Sequence, residues 1–118
     1  MRMSEYDYKQ LNGKSKLKPV EPKIKESVIQ LHIKRYLQMK GWFVFKNHQS
    51  LGSHRGVADL YAIKNGINIW LEVKTATGKL SEDQKIFRDN ITSCGGNYEV
   101  VRSLDDVIEL IGKHTRNA

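Results

Sequence analysis

From Lys23 to Lys40 the apolar residues Ile24, Val28, Leu31, Tyr36 and Leu37 return at three- and four-residue spacing. That period predicts an amphipathic helix, with Pro22 suited to its first turn and Gly41 to its C-terminal stop. Glu26 falls near the helix start, where its charge would compensate the dipole. The pattern then changes. Trp42-Phe43-Val44-Phe45-Lys46-Asn47 is aromatic and β-branched, which predicts a strand. A polar loop follows from His48 to Arg55. Two more apolar runs, Val57 to Ile63 and Ile67 to Lys74, flank Asn65-Gly66. That dipeptide predicts a type I′ hairpin, because both central positions need positive φ.

Beyond the hairpin, Ser81-Glu82-Asp83-Gln84 has the form of a capping box. Ile86, Phe87, Ile91 and Cys94 carry helical spacing up to Gly95-Gly96, which makes Cys94 a small core residue. Tyr98 to Arg102 is a fourth strand, and Ser103 caps a last helix from Leu104 to about Gly112. The order is α-β-β-β-α-β-α. The helix between the third and fourth strands allows them to lie parallel by a right-handed crossover. The expected fold is α/β, a mixed central sheet flanked by helices. Residues 1–20 are basic, polar and aperiodic and read as a flexible arm, 21–112 as the globular domain, and 113–118 as a tail.

Composition narrows the class. A chain of 118 residues, 39% hydrophobic, suits one domain with one modest core. Its 20 Lys and Arg against 13 Asp and Glu leave a charge of +7, which favours nucleic acid first and anionic membranes second. No apolar run approaches the roughly 18 residues of a membrane span. Neither is there the apolar core of a signal peptide. The single cysteine excludes an intramolecular disulfide and a Cys-rich zinc site. A soluble, cytoplasmic protein is expected.

Three charged residues interrupt the apolar runs: Asp59, Glu72 and Lys74. Glu72 and Lys74 are two apart, so they share one face of a strand, while Val73 points into the core. Counting back from the turn, Ile63 pairs near Asn68 or Ile67. Asp59 then falls opposite Leu71 to Glu72, close enough for both carboxylates to reach one ion. Two carboxylates and an ammonium suit a hard divalent cation, Mg²⁺ or Mn²⁺, which activates water and stabilises a leaving group. Spacing alone equally allows a salt bridge at the sheet edge. The loop residues Lys46, His48, His54 and Arg55, with Lys79 beyond the third strand, are candidate nucleic-acid contacts.

Asp59 followed by Glu72-Val73-Lys74 after a hairpin resembles the PD-(D/E)XK nuclease motif. The wider pattern resembles the VRR-NUC family, the virus-type replication–repair nucleases. It comprises Glu26, Gly41-Trp42, Gly56-Val57-Ala58-Asp59, Trp70-Leu71-Glu72-Val73-Lys74, Thr77-Gly78-Lys79-Leu80-Ser81 with Gln84, then Gly95-Gly96-Asn97-Tyr98 and Val100-Val101-Arg102-Ser103. The resemblance covers about residues 22–111. It implies a restriction-endonuclease-like PD-(D/E)XK core and a metal-dependent DNA nuclease. Asp59 and Glu72 would be metal ligands, with the Val73 carbonyl. Lys74 would be the catalytic lysine. Glu26 would contact the metal, and Gln84 would hold Lys74 or a phosphate. Ala58 stands where the motif often has proline. The expected substrate is branched DNA, a four-way junction or flap, because no base-reading helix or aromatic stacking platform is evident. Symmetric junction cutting would need a homodimer. The competing reading is a non-catalytic nucleic-acid-binding module with the same fold.

Overall fold

Apolar segments of both periods find their places in the computed structural model, which describes residues 24–48 and 52–116. The expected N-terminal arm and Pro22 lie outside the described residues. The elements are α1 (Glu26–Met39), β1 (Phe43–Lys46), β2 (Leu60–Lys64), β3 (Ile67–Val73), α2 (Glu82–Ser93), β4 (Tyr98–Val101) and α3 (Leu104–Arg116). The sheet order is β1-β2-β3-β4. The first three strands are antiparallel and β4 runs parallel to β3, as the crossover predicts. No described helix is long and apolar enough to cross a membrane.

The helices divide between the two faces of the sheet. α1 and α3 cover one face, where Ile29, Ile33 and Leu37 meet Val44, Ala62, Ile69, Leu71 and Val73, with Val107 and Ile111 behind them. α2 covers the other through Phe87, packed with Val57, Ala58, Tyr98 and Trp70.

The packing face of α1 differs from the expected one. Ile24, Val28 and Leu31 are exposed, and the buried stripe is Ile29, Ile33 and Leu37 with Tyr36 partly covered. The helix carries two apolar stripes with the same period, and contact with the sheet selects the second. The choice matters for the site. Glu26, Ile29, Gln30 and Ile33 are three and four apart, so Glu26 lies on the sheet side of its helix.

Strand ends also shift. β2 begins at Leu60, not Val57, although Val57 and Ala58 are buried. This short lead-in is held by Asn47, whose backbone N–H donates to the Asp59 carbonyl at 2.8 Å and whose side-chain amide donates to the Ala58 carbonyl at 2.9 Å. The last helix continues to Arg116, past the expected end at Gly112. Cys94 is exposed rather than in the core. It is the C-terminal cap of α2, and the chain turns away at once through Gly95 at φ +88°. The returning Gly96 packs against Ile91, which closes the packing stripe one turn before Cys94. Phe43 and Phe45 are exposed on the edge strand, stacked obliquely toward Tyr61 on the α2 side of the sheet. The sequence did not separate them from core aromatics such as Trp42.

The hairpin is as expected. Asn65 (φ +51°) and Gly66 (φ +80°) form the turn, and Ile63 pairs with Asn68. Leu60 pairs with Leu71, so one further step sets Asp59 opposite Glu72.

Candidate active site

Three acidic residues from three parts of the chain converge at the end of the hairpin away from its turn. Glu26, Asp59 and Glu72 each offer a carboxylate oxygen, and these oxygens lie within 4.8 Å of one another. Glu26 comes from the first turn of α1, Asp59 from the lead-in to β2, and Glu72 from β3. The ladder explains how an acid so deep stays in place. Asp59 Oδ2 accepts the Val73 backbone N–H at 2.8 Å, in a position where a strand partner would otherwise sit.

Glu72 is the most confined of the three, at 1% exposure. Its Oε2 accepts a hydrogen bond from Gln84 Nε2 at 3.2 Å and lies 3.7 Å from Lys74 Nζ. Its Oε1 is buried and has no hydrogen-bond partner. Burial pushes the Glu72 carboxyl from 4.5 up to about 8, and the nearby Asp59 carboxylate adds to the rise, with Glu26 contributing less. Lys74 opposes the shift without cancelling it. The same carboxylates act on Tyr98, whose phenol is raised first by burial and then by Glu72 and Asp59. Its hydroxyl is buried without a partner. Crowded carboxylates with an orphaned buried oxygen are an unfavourable arrangement by themselves. They match the donor set of a hard divalent cation, which binds carboxylate oxygens and removes their repulsion. The residues therefore fit the metal that the sequence implied.

Gln84 carries two jobs at once. Its Oε1 accepts the Ser81 backbone N–H at 2.8 Å while the Gln84 backbone N–H donates to Ser81 Oγ at 3.2 Å, completing the capping box. The remaining amide nitrogen reaches Glu72 rather than Lys74. A single rotamer serves both the cap and the site contact.

The other candidates are more dispersed. Lys46 ends β1 opposite Leu60, beside the site. His48, Arg55 and Lys79 are exposed. His54 is exposed too, with Nδ1 donating to the Arg55 carbonyl at 3.0 Å and its ring edge-on to Phe87. Arg102, which sequence pattern did not single out as a site residue, secures the loop after Lys74. Its guanidinium donates to the carbonyls of Thr75 and Gly78, both at 2.7 Å.

No family model matches the sequence, and no curated protein does. Solved structures are similar to it. One, titled "VRR_NUC domain", is 27% identical, with a TM-score of 0.65 over 74% of this chain and 94% of its own. Sequence pattern and structural likeness together support the VRR-NUC family. Another, "VRR_NUC domain protein", has a TM-score of 0.68 at 16% identity, covering 81% of this chain and 92% of its own, and speaks for the fold alone. The VRR-NUC fold is a nuclease fold, and the helix–strand arrangement above is consistent with it.

One glycine in the VRR-NUC pattern has a measurable structural role. Gly56 sits at φ +70°, and a Cβ there would stand 2.2 Å from the Asp83 carbonyl oxygen and 2.7 Å from Gln84 N. The loop ahead of Asp59 is thus pressed onto the turn that carries Gln84. Gly56→Ala adds left-handed strain to a backbone clash, so it should destabilise by at least about 2 kcal/mol. For a domain of this size the thermal midpoint should fall by roughly 10 °C. A variant that melts with the wild type would show that this contact is not tight.

Proposed function

We propose that this VRR-NUC chain is a Mg²⁺- or Mn²⁺-dependent DNA endonuclease that hydrolyses phosphodiester bonds. The observation that carries the proposal is the orphaned, buried Glu72 Oε1 inside a triangle of carboxylates with Lys74 at its rim. Asp59 and Glu72 would hold the cation, with Glu26 and the Val73 carbonyl completing the protein's share. The bound cation would supply charge neutralisation at the phosphate and lower the pKa of water. Asp59 is oriented in advance by the Val73 N–H, and Glu72 by Gln84. Both ligands thus need little rearrangement. Lys74, 14% exposed at its side chain, is the group available to orient the attacking water or offset charge gathering on the phosphorane. In-line attack would leave a 5′-phosphate.

Lys46, His48, His54, Arg55 and Lys79 would bind backbone phosphates, so affinity should fall steeply with salt. Contacts of this kind carry no base sequence, which supports structure-directed cutting of branched DNA such as four-way junctions or flaps. Paired incisions across a junction would need a homodimer. The exposed Ile24 and Val28 at the start of α1 offer a surface for it.

The test compares wild type with Lys74→Ala on labelled junction, flap and linear duplex, with Mg²⁺, Mn²⁺ or chelator. Wild type should nick the branched substrates only with metal, and Lys74→Ala should bind them without cutting. If wild type binds and cuts none of them with either metal, the chain is a nucleic-acid-binding module and the enzyme reading fails. Cutting restricted to one duplex sequence would overturn the branched substrate alone.

A further inference from the structure

We propose that the cleft between α1 and the β1–β2 pair receives one unpaired nucleotide of the DNA strand, base inward, beside the carboxylate site. The proposal rests on DNA being the ligand of this chain, and it adds a subsite that reads a base.

The cleft is placed by its neighbours in the chain. Ser27, Gln30, Leu31 and Lys34 line it from α1, and Lys46 and Leu60 from the sheet. Ser27 directly follows Glu26, and Leu60 directly follows Asp59. The cleft therefore neighbours the carboxylates, and the proposal places its mouth a nucleotide step from a phosphate held there. Its volume is about 280 Å³. That lies just below the roughly 300–1,000 Å³ of sites for drug-sized ligands, so it suits one ring system.

Its chemistry is of two kinds. Gln30 is 8% exposed, yet its Oε1 is buried with no hydrogen-bond partner. A glutamine amide offers donors and an acceptor in one plane, the complement of a nucleobase edge. Leu31 and Leu60 supply apolar walls for the base faces. At the rim, Lys34 and Lys46 have no carboxylate within ion-pair distance among the described residues. They are free to bind the phosphates on either side of the base. A base stacked inside a duplex cannot enter a concave site of this size, whereas one splayed from a flap or junction can.

The experiment is a cycle between the base and Gln30. Binding of a flap DNA is measured by fluorescence anisotropy with Mg²⁺ in a Lys74→Ala background. An abasic residue is moved through the unpaired positions near the branch. At one position the abasic residue should weaken binding about tenfold in the protein that keeps Gln30, in line with the worth of a single well-paired base. In Gln30→Leu the same DNA should lose less than about twofold, since the partner of the base edge is already gone. Lys34→Ala should weaken intact and abasic DNA equally. An abasic scan that is flat at every position overturns the base site, as does an equal loss in both proteins. Equal losses in all DNAs from the lysine change alone would mark a phosphate site only. Thermal melting checks that Gln30→Leu is folded, and Gln30→Met serves if it is not. Cleavage by the wild-type chain is scored separately, so failure of the nuclease reading and failure of this one are told apart.

Discussion

Glu72→Gln should abolish nicking and, in chelator, raise the thermal midpoint of the protein. Both effects follow from one geometry. Glu72 is buried among carboxylates, with one oxygen unpartnered and its carboxyl pushed up to about 8 by burial and by Asp59. A neutral amide of the same shape removes the repulsion. Its oxygen can still accept from Gln84 Nε2, and its nitrogen can donate to Asp59 or Glu26. The Lys74 contact, at 3.7 Å, is a weak loss by comparison. A gain of even 1 kcal/mol would lift the midpoint by about 4–8 °C in a domain of this size. Activity moves the other way. An amide cannot replace the anionic ligand, and several kcal/mol of transition-state charge stabilisation disappear. At about 1.4 kcal/mol per tenfold, a loss of roughly 10³-fold or more is expected. Lys74→Ala should match that loss without the stabilisation, because it removes a cation from an acidic cluster. Melting curves in chelator and single-turnover nicking with Mg²⁺ check both halves. A Glu72→Gln protein that melts earlier than wild type would show that Lys74 and Gln84, not repulsion, govern the energetics of the cluster. Opposite movements of stability and activity would mark stability given up for function at a buried site.

Much of this arrangement was legible because it is written in short-range rules. Asn65-Gly66 fixed the turn, the turn fixed the register, and the register set Asp59 opposite Glu72. Ser81 and Gln84 were legible through the capping box, which depends on residues three apart. Where the pattern failed, the deciding contact was distant. α1 carries two apolar stripes, and only the sheet beneath it selects Ile29 and Ile33 over Val28 and Leu31. That selection turns Glu26 toward Asp59 and gives Gln30 its burial, so the side of the site contributed by α1 could not be oriented by periodicity. The buried end of β2 was misjudged for a related reason. Val57 and Ala58 pack with Phe87 of α2 just ahead of the ladder, and a buried apolar lead-in looks like a strand in sequence. Gly56 sits tight against Asp83, 27 residues on, a closeness that no local spacing encodes.

The metal itself should be visible as a pH-dependent stabilisation, separate from any activity. Without cation, the Glu72 carboxyl titrates at about 8 in the folded chain against an ordinary value of 4.5. Between those values the folded state holds the extra proton. Stability from this group is therefore full below about pH 4.5 and declines as pH rises toward 8. A divalent cation competes with that proton, since it needs the carboxylate ionised. Its affinity should rise by up to about tenfold per pH unit through the upper part of the window, then level off above it. A ligand that binds only the folded state stabilises in proportion to RT ln(1 + [L]/Kd). Mg²⁺ at about 10 mM should therefore lift the midpoint clearly at about pH 8.5 and little at about pH 6. The lift should offset the decline that chelated protein shows over the same range. In Glu72→Gln both the pH slope and the Mg²⁺ shift should largely vanish, which ties them to this carboxyl rather than to surface screening. Melting curves at three pH values, each with Mg²⁺ and with chelator, decide the matter. Equal Mg²⁺ shifts at pH 6 and 8.5, or a shift retained in Glu72→Gln, would mean that the cation binds without displacing the Glu72 proton. Asp59 and Glu26 would then be its principal ligands.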